Sequence, residues 1–214
     1  MAQVPTGSTF YIASAYGSAK TVTIVTNATE AVVTAVAHGF SNGDVVEMTS
    51  GWGRLNKRHF EIESVLTDSS VLSREDTTNT TFYPVGTGIG SVRKATTFTQ
   101  ITSVMNPQSS GGDPKTVTYK FVESDVEYSI NDGFGATSYT MELDADALGS
   151  AGYTALKSLT QVQTDTCLKV VTRSGSRVYQ PCTVALNESI RMQDGQINRV
   201  TCAFNGNNRL TRAS

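Results

Sequence analysis

Asp144 and Asp146, two carboxylates one residue apart, could hold a divalent cation between them. Directly before a helix, the same spacing also makes a turn whose negative charge faces the positive end of the helix dipole. Glu123, Asp125 and Glu127 would share one face of an extended strand, because strand side chains repeat every second residue. Such a stripe could bind Ca²⁺ or simply be solvated. His38 and His59 have no Ser or Cys nucleophile close to them in sequence, so the nucleophile–base pairing of covalent catalysis lacks a member. Each reads instead as a hydrogen-bonding tie for a loop. Three cysteines, Cys167, Cys182 and Cys202, cannot all pair. They sit in strand-like runs beside Val, Leu or Phe, far from both histidines, which predicts buried free thiols and no zinc site. Gly86-x-Gly88-x-Gly90 lacks the GxGxxG spacing and no helix follows it, so it is no nucleotide cradle. Trp52 and Arg54, on the loop Gly51-Trp52-Gly53-Arg54, would anchor a sugar or protein partner if exposed; otherwise Trp52 covers its own surroundings. No set joins a nucleophile, a base and an orienting group. The chain reads as non-enzymatic, without metal or cofactor.

The elements that position these residues are mostly strands. Thr116 to Asp144 holds three alternating runs, Val117-Tyr119-Phe121, Val126-Tyr128-Ile130 and Tyr139-Met141-Leu143. Period-2 alternation predicts strands with one buried face, and Asn131–Gly135 has the residues of a turn. Thr9–Ala13 and the β-branched Thr21–Thr26 open the chain as strands. Asn42-Gly43 between two apolar runs is a hairpin signal. Asn106–Pro114 reads as a long polar loop. Ser150 to Val162 is the one convincing helix, with Ser150 as cap and Ala155, Leu156, Leu159 and Val162 on one face. Later strands run through Cys167–Arg173, Val178–Leu186 and Ile197–Phe204. Together these predict a mainly β protein: a scaffold of residues 1–26 plus 95–214, with residues 27–94 inserted as a small β module.

At 214 residues the chain can bury a core without staples. A net charge of −2 argues against gripping nucleic acid, since phosphate binding needs a basic footprint. No apolar run approaches the ~18 residues of a membrane span. The start, MAQVPTGSTF, lacks the basic and apolar regions of a signal peptide, which predicts synthesis and folding in the cytoplasm.

A resemblance follows from particular residues. His38-Gly39-Phe40-Ser41-Asn42-Gly43-Asp44-Val45-Val46, then a Gly-rich loop, Leu55-Asn56-Lys57-Arg58-His59-Phe60 and the closing Tyr83…Gly90 segment resemble a small β module that recurs in bacteriophage tail proteins. Phe10–Ser14, Phe98–Ile101, Glu123–Tyr128, Asp144–Leu148 and Tyr153–Leu156 extend the likeness over nearly the whole chain, which resembles the major tail tube protein of long-tailed, siphovirus-like phages. The resemblance implies a β-sandwich or barrel with one flanking helix, six copies closing into a ring, and rings stacking on themselves into a tube that carries DNA as a passenger. It also implies a virion location and contacts with tape measure, tail terminator and distal tail proteins. In that setting Pro107, Ser109, Gly111, Gly112 and Asp113 become an inter-ring arm. Glu123, Asp125 and Glu127 with Lys169, Arg173 and Arg177 become candidates for a lumen or subunit contact. Two alternatives stand: a carbohydrate- or host-surface-binding tail module using Trp52 and Arg54, and a secretion-system tube protein of similar architecture.

Overall fold

The computed structural model describes residues 6–214. The chain is mainly β, with one α-helix. Its strands are β1 (Thr9–Tyr16), β2 (Lys20–Val22), β3 (Ile24–Val25), β4 (Val32–Thr34), β5 (Val45–Ser50), β6 (Arg58–Glu63), β7 (Ser69–Leu72), β8 (Gly90–Ile101), β9 (Val104–Gly111), β10 (Pro114–Tyr119), β11 (Tyr128–Phe134) and β12 (Thr137–Asp144). After the helix α1 (Ala151–Val162) come β13 (Thr166–Val171), β14 (Arg177–Arg191), β15 (Arg199–Gly206) and β16 (Thr211–Ala213). One sheet of 14 strands follows the order β3-β4-β7-β6-β5-β8-β1-β13-β14-β15-β12-β9, with β2 on β8 and β16 on β14. Among the described residues, β10 and β11 pair only with each other.

Alternation decides which face of each strand is buried. In β12 and β15, Met141 lies opposite Cys202 and Leu143 opposite Val200, all buried, while Thr140 and Glu142 turn to the other side. α1 closes this core. Ser150 caps it by accepting the Tyr153 N–H at 3.2 Å, satisfying one of the first-turn donors. Tyr153 and Leu156 are buried, Ala155 and Leu159 pack at the margin, and Val162 is exposed. Gly152 is required where the helix crosses β8, because a Cβ there would stand 2.4 Å from the Gln100 carbonyl.

A second core gathers Val22, Val33, Met48, Trp52, Leu55, Phe60, Ile62, Leu72 and Val92. β8 serves both cores. Its first half, to Lys94, pairs with β5, and its second half, from Ala95, pairs with β1. Asn42-Gly43 turns the chain with Gly43 at φ +85°, but no hairpin forms across it. The preceding β4 pairs with β3 and β7, whereas the following β5 pairs with β6 and β8. The local turn chemistry was legible; the partner choice is tertiary.

Candidate assembly surfaces

The residues with chemical potential are absorbed into structure. Asp144 accepts the Asp146 N–H at 3.0 Å and caps the short 3₁₀ segment Ala145–Gly149. Among the described residues no group of three His, Cys, Asp or Glu side chains could hold a metal ion. Cys167, Cys182 and Cys202 are buried and unpaired, and burial pushes the Cys182 thiol up to about 12. His38 Nδ1 accepts the Phe40 N–H at 3.0 Å, tying its own loop.

Trp52 is 1% exposed, which corrects its candidacy as a surface anchor. Its Nε1–H donates to the Pro84 carbonyl at 2.8 Å and to Thr87 Oγ1 at 2.9 Å, and Tyr83 packs edge-on against it. Gly88 lies so close that a Cβ would stand 2.8 Å from the indole. Of the glycines at 86, 88 and 90, Gly88 is therefore the one that makes room for Trp52, whereas Gly90 lies against the Thr49 carbonyl. Arg54 stacks over the ring of Phe82, 3.3 Å from its centroid.

His59 is buried and shares a 2.8 Å hydrogen bond with the Tyr16 hydroxyl. Burial, with the nearby Arg93, lowers its pKa from 6.5 to about 3. Between those values the unfolded chain binds a proton that the folded chain refuses. Stability therefore falls as pH drops from about 6.5 toward 3, by up to about 1.4 kcal/mol per pH unit. Glu47 lies 3.7 Å from His59 and accepts from Arg93 at 2.9 and 2.6 Å. Burial raises its pKa, so its stabilising contribution is present at low pH and lost as pH rises through the raised value. The two effects oppose each other where their ranges overlap. His59→Gln is expected to flatten the acid side of a plot of urea midpoint against pH; an unchanged slope would place the acid sensitivity elsewhere.

The polar segment 106–114 is not a flexible loop. Pro107 and Ser109 lie in β9, which among the described residues pairs only with β12. Proline, lacking an N–H, suits such an edge. Gly111 and Gly112 take φ +78° and +77° and end the strand, and Asp113 accepts the Gly135 N–H at 2.8 Å. These three residues form the root of the true projection, the hairpin β10–β11.

That hairpin also corrects the expectation of a buried face for Val117, Tyr119 and Phe121. Its pattern is strand-like, but no other element among the described residues covers it. Val117, Tyr119, Phe121, Val122, Val126, Tyr128, Ile130 and Phe134 are all at least 40% exposed. The chain turns between Tyr119 and Tyr128, while Asn131–Phe134 continues β11. Tyr128 packs near Tyr119 and Phe121, with centroids 5.5 and 6.0 Å apart. Glu123, Asp125 and Glu127 stand exposed in this tip, off any regular strand. An isolated two-stranded hairpin is marginal in water, and contiguous exposed apolar surface marks an interaction site.

The basic candidates are unequal. Arg177 is already paired, 2.9 Å from Glu61 within the same chain. The Lys169 ammonium lies within 5.9 Å of the Tyr11, Phe98 and Tyr179 rings. Arg173 is exposed on the turn after β13. None is brought to the acidic tip by a contact within the subunit. The hairpin's exposure was hidden because periodicity reports two faces without saying whether anything covers either.

No curated protein matches in sequence. Two solved structures are similar to part of this chain. One is the tail of an empty gene transfer agent particle refined with C6 helical symmetry, at 12% identity and TM-score 0.44, covering 55% of this chain and 87% of that one. The other is the virion of a native gene transfer agent particle, at 12% identity and TM-score 0.44, covering 55% and 89%. The signature of the family described as "Phage tail tube protein, TTP" matches residues 50–214, from the end of β5 through both sides of the hairpin to β16, and the chain belongs to that family.

Proposed function

We propose that this chain is the repeating subunit of a phage tail tube, six copies closing into a ring and rings stacking into the conduit through which the genome enters the host. The observation that carries the reading is the uncovered apolar hairpin β10–β11 on a chain of the tail tube family. A subunit that leaves eight apolar side chains in water has a place to put them, and a second copy is the partner always present. The unpaired edge of β9 is a further surface that ring closure would satisfy. The acidic balance fits a DNA passenger. A basic lining would hold the duplex by counterion release, whereas a weakly repelling one lets it slide. On this reading the protein has no enzymatic activity, is made in the bacterial cytoplasm, ends in the virion, and meets tape measure, terminator and distal tail proteins at the tube's ends. Negative-stain electron microscopy of the purified protein is expected to show stacked rings or tubes. Monomers at every concentration, with or without a tail initiator complex, would overturn the proposal. The carbohydrate-binding alternative loses its anchor with Trp52 buried.

A further inference from the structure

The hairpin is not the only apolar surface left open along these strands. β12 leaves the hairpin at Thr137 and ends at Asp144, about 23 Å away at ~3.3 Å per residue. β15 runs beside it in the opposite sense, Asn205 opposite Ser138 and Arg199 opposite Asp144. The connection from β14 to β15 therefore lies at the end far from the hairpin, tied there by the Ala145 N–H donating to the Asn198 carbonyl at 3.0 Å. This end carries Ile190, Met192 and Ile197, 48%, 73% and 57% exposed, with Leu148 on the adjoining 3₁₀ turn also exposed. Within it, Arg191 reaches only to 3.9 Å from Glu142 and is 69% exposed. Glu142 is already held by Arg199 at 2.8 Å and by Asn106 at 2.7 Å. Asp194 sits in the same turn, and Glu188 at its base is paired with Lys157.

We infer that this far end is the seat for the β10–β11 hairpin of the next subunit along the tube, Ile190, Met192 and Ile197 covering its apolar side chains and Arg191 meeting its acidic tip. The inference rests on the self-assembling reading above and names the surfaces that carry it. Two arguments choose this occupant. The hairpin, Pro114–Phe134, holds four carboxylates against two lysines, a net charge of −2, so the largely free Arg191 is a complementary partner. The geometry is also directional: projection and seat lie at opposite ends of the same strands. A contact between unlike surfaces so placed repeats by translation and builds an open filament, whereas hairpin-to-hairpin contact is self-complementary and stops at a pair.

Cross-linking tests the contact directly. Val122→Cys and Met192→Cys are combined in one chain, assembled into tubes and treated with a short bismaleimide. The three native cysteines are buried and stay silent. The expected result is a covalent ladder running beyond a single ring's copy number, absent from either single variant and from unassembled subunits. The pair Val126→Cys and Ile197→Cys reads the same contact if the first disturbs assembly. Tubes of these variants without a ladder would overturn the inference. So would dimers from Val122→Cys alone, or a ladder from Val122→Cys with Ile89→Cys, which would place the hairpin on the exposed Ile24, Val85 and Ile89 patch. In each of those outcomes tubes exist and only the seat is wrong. A wild-type chain that never forms rings or tubes would instead remove the self-assembling reading, and this inference with it.

Discussion

A subunit in which residues 112–136 are replaced by Asn-Gly is expected to fold normally and to form no tubes. The splice is set by the register: Gly111 lies opposite Thr137, so a two-residue type I′ turn joins β9 to β12 without shifting either. Little stability is lost, because among the described residues β10 and β11 pair only with each other. Thermal unfolding should move by no more than a few degrees, as for a change of about 1 kcal/mol. Assembly loses far more. Eight side chains still about half exposed would each contribute roughly 1 kcal/mol when covered, on the order of 8 kcal/mol per hairpin. Removing that much from a repeated contact should abolish tubes at any practical concentration. Sedimentation and microscopy read the result. Tubes of normal length from a folded deletion variant would show that the hairpin is an ornament. Deleting 107–114, the arm expected from sequence, is a different experiment, since it removes most of the edge strand β9 and leaves β12 paired with β15 alone.

This difference shows what the sequence could and could not convey. Met141 and Leu143 alternate with Thr140 and Glu142, and the structure buries the first pair and turns the second outward. Val117 and Tyr119 alternate in the same way, yet they are exposed. The pattern in both places encodes a strand with an apolar face; in one case distant strands cover that face, and in the other no element among the described residues does. The helix at 151–162 was legible to the residue because its cap and its apolar spacing are local. Tyr153, its most telling contact, was missed because it points into a core assembled from β8, β14 and β15. Trp52 could not be placed either, since the partners that bury it, Tyr83, Pro84 and Gly88, come from a loop more than thirty residues away. The proposed division at 94/95 falls inside β8, a strand long enough to belong to both cores. Sequence alternation gives the length of such a strand but not the change of partner halfway along it.

Arg58 is where that shared architecture should be most sensitive. Its guanidinium donates to Glu75 at 2.7 Å, to the Arg54 carbonyl at 3.0 Å and to Thr211 Oγ1 on β16 at 3.2 Å. The side chains of Arg58 and Glu75 are only 8% and 10% exposed, and Tyr83 donates its hydroxyl to the same carboxylate oxygen at 3.0 Å. Arg58→Ala would leave Glu75 buried without its cation, at a cost of about 3–5 kcal/mol. Replacing both partners with apolar residues, Arg58→Met with Glu75→Leu, should cost much less, because no unpaired charge remains. Two probes then report whether the cores unfold together. Trp52 is the chain's single tryptophan and sits in the core around β5 and β6, while far-ultraviolet circular dichroism also reports α1 on the other core. Three features predict one coincident transition: β8 spans both cores, Arg177 and Tyr179 on β14 reach Glu61 on β6, and Asn208 donates to the Gly53 and Asn56 carbonyls. In urea, Arg58→Ala should therefore lower both midpoints equally. A tryptophan midpoint that falls alone would mean that residues 27–94 melt as an independent unit, held to the scaffold by contacts too weak to couple them.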